Sequence, residues 1–261
     1  MSKVKKQKTE KQIFRKWVVV MVIAFLAGLI GAEPIRQTIE RLTTWTSEIN
    51  MELMLYLALG LFALMNVIGI LVTYISYKKA KKMTEQWDGN NEDVLDKIED
   101  KLDVALLSIT ITISTNYFFF GLISYIGLVK MEGQGMLPPM LTLVGIVVFL
   151  GSSLVFVALQ KKCIDLTKQL NPEKKGNIFD KNFSKEWLAS CDEAQQLIIY
   201  KSSFAAYKNA GGACQILWLV TVIAMMTLDT GLLPIFCVSV IMLVMQVSYY
   251  LESKKLERGK K

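Results

Sequence analysis

Residues 186–208 read EWLASCDEAQQLIIYKSSFAAYK and bring carboxylates, a thiol, hydroxyls and two tyrosines into one short stretch. Enzymes use such side chains as acids, bases and nucleophiles, so Cys191, Asp192 and Glu193 could form a catalytic centre. Neighbouring residues on a helix point in different directions, which disperses this cluster if the segment is helical. The chain also contains no histidine, which excludes imidazole bases and Cys-His nucleophile pairs. We therefore expect that the protein is not an enzyme.

The cysteines and carboxylates of the chain do not follow the spacing of a metal or disulfide site. Cys163 and Cys191 lie in a predicted loop, and Cys214 and Cys237 lie in or near apolar runs. This arrangement favours neither a disulfide nor a zinc site. The acidic stretch 92–103 lacks the order of oxygen ligands that a calcium loop needs. The spacing of a phosphate-binding P-loop is also absent from the sequence. We expect no catalytic residues, no cofactor and no metal.

Projected as a helix, the stretch that ends at residue 208 has two apolar ridges on opposite sides. Ser184 is its predicted N-cap, and Glu186 would lie favourably in the first turn. The residues that we predict to form a docking surface are Trp187, Leu197, Ile198, Tyr200, Phe204 and Tyr207. A helix with two apolar ridges needs two partners. One could be another loop helix or the membrane interface, and the other a second chain or a cytoplasmic protein.

A stripe of neutral polar residues forms a second candidate site, within the apolar run that contains LLSITITISTNYFFF. Its members share one helical face and are Ser108, Thr112, Thr115 and Asn116. The stripe could line a passage or a small polar binding site. Alternatively, its groups could hydrogen-bond across helices and hold them together, as such groups commonly do in membranes. The second interpretation is favoured because no charged residue lies near the centre of any run.

Long apolar runs define the architecture, because about 20 apolar residues are needed to cross a bilayer as a helix. Six runs meet or approach this length, and they cover residues 17–33, 52–76, 104–129, 138–159, 212–228 and 232–250. Unbroken runs favour helices over the short alternating strands of a membrane barrel. The sequence therefore predicts an all-α, polytopic membrane protein with six transmembrane helices, forming a single membrane domain over residues 1–261.

The distribution of basic residues predicts the orientation of these helices. If the amino terminus is cytoplasmic, the inside segments contain 27 of the 30 Lys and Arg residues. These segments are the tails 1–16 and 251–261 and the loops 77–103 and 160–211. Lys and Arg favour the cytoplasmic side, so both termini are predicted to be cytoplasmic. The net charge of +7 then suits an anionic inner leaflet, and we expect a lipid bilayer, not nucleic acid, as the partner of the basic tails.

The first cytoplasmic loop is predicted to contain an amphipathic helix that leads into the third span. Asn91 can cap this helix, with Glu92 and Asp93 near its positive end. One face is apolar and consists of Leu95, Ile98, Leu102, Ala105 and Leu106. The other face carries six carboxylates against two lysines over residues 92–103. Such a face is expected to project into the cytoplasm or to meet a basic partner.

The first apolar run has two features that bear on assembly and processing. Small residues recur along it at helix-contact spacing, namely Ala24, Ala27, Gly28, Gly31 and Ala32. They predict a close contact with another span or with a second subunit. The run could alternatively be a signal peptide that is cleaved after Ala32.

The two cytoplasmic loops could also be distant copies of each other. Lys78, Lys79, Thr84 and Gln86 match Lys161, Lys162, Thr167 and Gln169 at a constant offset of 83 residues. Parallel internal repeats of this kind occur in transporters.

A family resemblance appears in residues 171–208, NPEKKGNIFDKNFSKEWLASCDEAQQLIIYKSSFAAYK. This segment resembles the most characteristic part of an uncharacterised family, a domain of unknown function. Its members are six-span integral membrane proteins, mainly of Gram-positive bacteria. The resemblance implies a bacterial plasma membrane and supports the number of spans. It implies no activity, substrate or residue role.

Two functional hypotheses follow. The first is a non-enzymatic multi-pass protein that acts as an accessory, permease-like or regulatory subunit and docks a partner through its cytoplasmic loops. The alternative is a stand-alone carrier or channel for a small neutral or amphipathic solute that uses the polar stripe. Neither hypothesis specifies an oligomeric state.

Overall fold

A computed structural model describes Val19, residues 50–228 and residues 230–258. The described residues are helical apart from short connections, and they contain no strand. The helices are α1 (Met51–Gln86), α2 (Glu92–Tyr125), α3 (Leu137–Leu170), α4 (Phe183–Ala189), α5 (Glu193–Leu228) and α6 (Leu233–Arg258). A π-helical turn, Ile126–Lys130, extends α2. The predicted span 17–33 and its small-residue surface lie outside the described residues, apart from Val19.

Among the described residues, five helices are long and apolar enough to cross a membrane, and they cover the second to sixth predicted spans almost completely. They are α1, α2 with its π-helical turn, α3, α5 and α6. The coarse prediction of an all-helical fold with helices that could span a membrane is therefore confirmed for the described residues. The six-span count and the orientation of the termini stay predictions.

The helices extend well beyond the apolar runs and into the two predicted cytoplasmic loops, whose boundaries stay predictions. α1 continues to Gln86, ten residues past its run, and α5 begins at Glu193, long before residue 212. The hydropathy falls at these points, but Lys, Glu and Gln remain good helix formers. A helix of 36 residues is about 54 Å long, against a hydrocarbon core of about 30 Å. The surplus turns of α1 and α5 can therefore stand outside the bilayer.

The connection between α1 and α2 is short and is closed by side-chain caps. Asn91 Oδ1 accepts a hydrogen bond from Val94 N at 3.2 Å, and Glu92 and Asp93 occupy the first turn of α2. The predicted cap is thereby confirmed. The Asp88 carboxylate accepts hydrogen bonds from the backbone N–H groups of Asn90 and Asn91, which lower the pKa of Asp88.

Contacts divide the chain into two compact units, and the first comprises Ile49–Lys201. Its core lies between α1, α2 and α3. At one end of α2, the predicted apolar face is buried, with Ile98, Leu102 and Ala105 packed near Ala80 of α1 and Cys163 of α3. The hydroxyls of Thr84 and Thr167, which the proposed repeat pairs, both donate to the carbonyl four residues earlier.

The described part of the second unit begins at Ser202 and contains most of α5 and all of α6. Cys214 is the one buried residue in this part. The rings of Tyr207 and Tyr249 stack with centroids 5.3 Å apart. Most apolar side chains of α5 and α6 in this part are exposed, as is typical of helices that face lipid. The expected single membrane domain stays a prediction.

The prediction of one continuous helix over residues 184–208 is wrong. α4 ends at Ala189, α5 begins at Glu193, and the N-cap of α4 is Asn182 instead of Ser184. Asp192 causes the break, because its carboxylate accepts a hydrogen bond from Gln195 N at 2.7 Å and caps a new helix. The sequence carries this signal, since an N-cap Asp followed three residues later by Gln resembles a capping box.

Candidate functional site

A pair of asparagines joins the middle of α1 to the C-terminal half of α2. Asn66 Nδ2 donates to Asn116 Oδ1, and Asn116 Nδ2 donates to Asn66 Oδ1, each over 2.9 Å. Both residues are buried, and Asn116 is only 1% exposed. Because each amide both donates to and accepts from the other, the pair constrains the rotation and register of the two helices.

The second hydrogen of each amide also has a protein acceptor. Asn66 Nδ2 donates to the Phe62 carbonyl at 2.9 Å, and Asn116 Nδ2 donates to Ser152 Oγ of α3 at 3.2 Å. The Ser152 hydroxyl in turn donates to the Phe149 carbonyl at 3.1 Å. The amide network therefore links three helices and leaves no amide hydrogen of the pair for a solute. Its geometry is that of a polar contact between helices.

The other residues of the predicted polar stripe bond to nearby backbone carbonyls. Ser108 Oγ donates to the Gly69 carbonyl of α1 at 3.3 Å. Thr112 and Thr115 bond within α2, to the carbonyls of Ser108 and Ile111, both at 2.8 Å. Ser108, Thr112 and Asn116 thus face neighbouring helices, whereas Thr115 bonds only to its own helix and is partly exposed.

An open groove of about 290 Å³ runs beside this contact, between α1 and α2. Its lining is mainly apolar, with Ser108 and Thr112 as the polar exceptions. At its edge Gly69 allows close approach, since a Cβ atom there would lie 3.0 Å from Thr112 Cβ. The groove does not include Thr115 or Asn116, so the four residues of the stripe do not form a single pocket.

The predicted docking residues are distributed over two helices. Trp187 lies on α4 and is partly buried against Phe183, with ring centroids 5.6 Å apart. Leu197, Ile198 and Tyr200 lie in the first two turns of α5 and are 51%, 65% and 56% exposed. These three residues are the N-terminal patch of α5, and they belong to the first unit.

The two remaining docking residues lie further along α5, in the part assigned to the second unit. Phe204 is exposed, and Tyr207 is partly covered by the ring of Tyr249. The partner that the sequence indicates for Tyr207 is therefore supplied in part by α6. The prediction that these residues dock another molecule stays a prediction.

Sequence reasoning missed a buried polar cluster around Cys191. Lys174 is only 8% exposed, and its Nζ lies 3.0 Å from Cys191 Sγ. Nζ also donates to Gln195 Oε1 and lies 5.8 Å from the centroid of the Trp187 ring. No spacing pattern identifies Lys174, because eight other lysines occur in the same predicted loop.

Within residues 50–228 and 230–258, no group of three or more His, Cys, Asp or Glu side chains is placed to hold a metal ion. The cysteines described there are all free thiols.

Comparison with known proteins identifies a family but no activity. No curated protein and no solved structure matches the chain. One family does match, over residues 6–253, which is nearly the whole sequence. Its description agrees with the resemblance seen in residues 171–208. The chain therefore belongs to the family described as "Protein of unknown function (DUF3169)".

Proposed function

We propose that the protein is a non-enzymatic, multi-pass subunit of the bacterial plasma membrane that docks a partner through the N-terminal patch of α5. It would act as an accessory, permease-like or regulatory subunit. The observation that carries this proposal is the exposure of three large apolar side chains, Leu197, Ile198 and Tyr200. Leu197 and Tyr200, three positions apart, share one face of the helix, Ile198 lies on another face, and adjacent exposed apolar side chains often mark interaction sites.

The position of the patch along α5 favours a protein partner over lipid. The apolar run starts at residue 212, fourteen positions after Ile198, which corresponds to about 21 Å along the helix. Lys201 and Lys208 lie in this interval. Lipid chains that surround the apolar run would not reach the patch, so a partner outside the hydrocarbon core is needed to cover it.

The acidic face of α2 offers a second contact for a basic partner. Asp96 and Asp100 are exposed, whereas Glu99 is partly buried and accepts a hydrogen bond from Asn171 Nδ2 at 3.2 Å. The last contact links α2 to the connection that leads to α4. Charge complementarity at Asp96 and Asp100 would select a basic partner and speed its association.

The alternative of a stand-alone carrier has less support from the geometry. A solute that accepts hydrogen bonds would need free donors at the polar stripe, but both amide hydrogens of Asn116 already have protein acceptors. The apolar groove beside Ser108 could still accept an amphipathic molecule. We therefore retain the carrier as the second hypothesis and the docking subunit as the first.

Replacing Ile198 by Ala is expected to weaken partner recovery, because a large apolar contact is lost from the proposed docking patch. The expected loss is about 1–2 kcal/mol, or roughly ten-fold in affinity. The measurement is the stoichiometry of the protein that co-purifies in mild detergent. Charge reversal at Asp96 and Asp100 should weaken the same complex if the partner is basic.

Ile216→Ala is the matched control for this experiment. Ile216 lies on the same helix and is 64% exposed, nearly the same as Ile198, but it lies within the apolar run. Its replacement should leave the amount of co-purified partner unchanged. The docking proposal is rejected if no stoichiometric partner is recovered, or if the two isoleucine variants have equal effects.

Single cysteines on a cysteine-free background should report the orientation of the chain. We expect a Gln134→Cys variant to react with a membrane-impermeant reagent in intact cells, and a Lys181→Cys variant to react only after lysis. Both positions are exposed. Gln134 is preferable to Gly133, whose φ of +79° would strain a cysteine. Equal labelling of both positions in intact cells would contradict cytoplasmic termini.

A further inference from the structure

We propose that Lys174 and Cys191 form an oxidant-sensitive covalent cross-link, in which a peroxide converts their contact into a nitrogen–sulfur bond. The two reacting atoms, Nζ and Sγ, lie 3.0 Å apart. Both side chains are 8% exposed, so the contact is largely shielded from solvent. This inference is independent of the docking proposal, since it concerns chemistry within the first unit.

The surroundings of Lys174 Nζ direct this group at the sulfur atom. Among the described residues, no carboxylate oxygen lies within 4.0 Å of Nζ. Its close contacts are Cys191 Sγ, Gln195 Oε1 and the face of the Trp187 ring. A buried amine without a carboxylate partner is costly, so its placement against a thiol requires a compensating structural or chemical role.

The backbone holds the two groups in place from both sides. Lys174 N donates to the Asn171 carbonyl at 3.0 Å, and Lys175 N donates to Ser190 Oγ at 3.0 Å. The second bond joins the lysine segment directly to the residue before Cys191. Cys191 Sγ in turn donates to the Trp187 carbonyl at 3.3 Å. These hydrogen bonds hold the Lys174 segment beside Ser190 and Cys191, and Gln195 and Trp187 contact the Lys174 amine itself.

The reaction proceeds in two balanced steps. First, the Cys191 sulfur attacks one peroxide oxygen, the O–O bond breaks, and sulfenic acid and water form. The Lys174 amine, in its neutral form, then attacks the sulfur. The S–O bond breaks, and hydroxide leaves with an N–H proton as a second water molecule. Overall, sulfur is oxidised by two electrons, one peroxide is reduced to two waters, and an N–S bond replaces one N–H and one S–H bond.

The local structure can accommodate this bond, which is shorter than the present contact. Lys174 lies in the connection between α3 and α4, and Cys191 lies in the break between α4 and α5. Neither residue is within a helix, so the two atoms can approach without breaking helical hydrogen bonds. The cross-link would tie the connection to the start of α5. It would also protect Cys191 from further, irreversible oxidation.

Peptide mapping of the peroxide-treated full chain in mild detergent tests the proposal. Free thiols are alkylated, and the protein is digested with chymotrypsin, which cleaves at Phe179 and Phe183 between the two residues. We expect a linked Lys174–Cys191 peptide pair whose mass is that of the two reduced peptides minus two hydrogens. A dithiol reductant should release both peptides.

Lys174→Met and Cys191→Ser should abolish the linked pair, whereas Lys175→Met should retain it. Lys175 is the matched control because it is the neighbouring lysine, and its side chain is exposed. If the Lys174 variant does not fold, the maps of the unaltered chain and of Lys175→Met suffice. The proposal is overturned if Cys191 reaches sulfinic acid with Lys174 free, if the cross-link retains the peroxide oxygen, or if another lysine is joined.

Discussion

Replacing Asn116 by Ala is expected to lower the free energy of unfolding by about 1–2 kcal/mol. The substitution removes two hydrogen bonds to Asn66 and one to Ser152, and it leaves the Asn66 amide in a buried site without its main partner. The cost is that of an unsatisfied buried group, not only that of the lost bonds. The measurement is reversible unfolding in mixed micelles with rising SDS.

Thr115→Ala is the control for this substitution. Thr115 is the preceding residue of the stripe, but its hydroxyl bonds only to the Ile111 carbonyl of its own helix. We expect its free energy of unfolding to change by less than about 0.5 kcal/mol, as is usual for substitutions outside the core and outside caps and buried hydrogen-bond networks. The free energy of unfolding of the Asn66→Ala, Asn116→Ala double variant should fall by less than the sum of the decreases in the two single variants. If the decreases of the two single asparagine variants add exactly, or if Thr115→Ala destabilises the protein as much as Asn116→Ala does, the asparagine network is contradicted.

Gly69→Ala should also destabilise the three-helix unit, because the added methyl group has no space. A Cβ atom at Gly69 would lie 2.9 Å from Thr112 Cγ2 and 3.0 Å from Thr112 Cβ. Thr112 is β-branched and already bonded to the Ser108 carbonyl, so it cannot easily rotate away. Separation of α1 from α2 by such overpacking costs about 1–3 kcal/mol. The same unfolding assay measures this loss of stability.

Gly60→Ala is the matched control, since Gly60 lies on the same helix and a Cβ atom there meets nothing within 4 Å. Its replacement should be neutral or slightly stabilising, because Ala favours helix more than Gly does. Thr112→Ala in the Gly69→Ala background removes Oγ1 and Cγ2 of Thr112, the two atoms nearest the added methyl group, and should restore part of the lost stability. Equal destabilisation by Gly60→Ala and Gly69→Ala would show that the contact is not tight.

Both predictions concern residues whose types are evident in the sequence but whose partners are not. The stripe of Ser108, Thr112 and Asn116 is visible as a helical face in the sequence. The sequence also favours helix contacts over a solute site, because no charge accompanies the stripe. Asn66 lies 50 residues away, and its pairing with Asn116 depends on the rotation of both helices. No local pattern encodes that rotation.

Local patterns did predict the features that depend on neighbouring residues. The Asn91 cap and the buried face of Ile98, Leu102 and Ala105 were expected and are observed. The break at Asp192 was missed although its capping signal is local, because the apolar spacing across it also fits one helix. That spacing placed Trp187 and Ile198 on one helix, and the structure separates them.

Composition, apolar run length and helix caps are properties of contiguous sequence, and they are sufficient to predict an all-helical fold with helices that could span a membrane. They depend on interactions over a few residues or on the cost of burying a whole run in lipid. Three features do not depend on contiguous sequence. They are the Asn66–Asn116 pair, the tight approach at Gly69 and the contact between Lys174 and Cys191. Each depends on the packing of helices or loops that are distant in sequence, and that packing is established only when the chain folds in three dimensions.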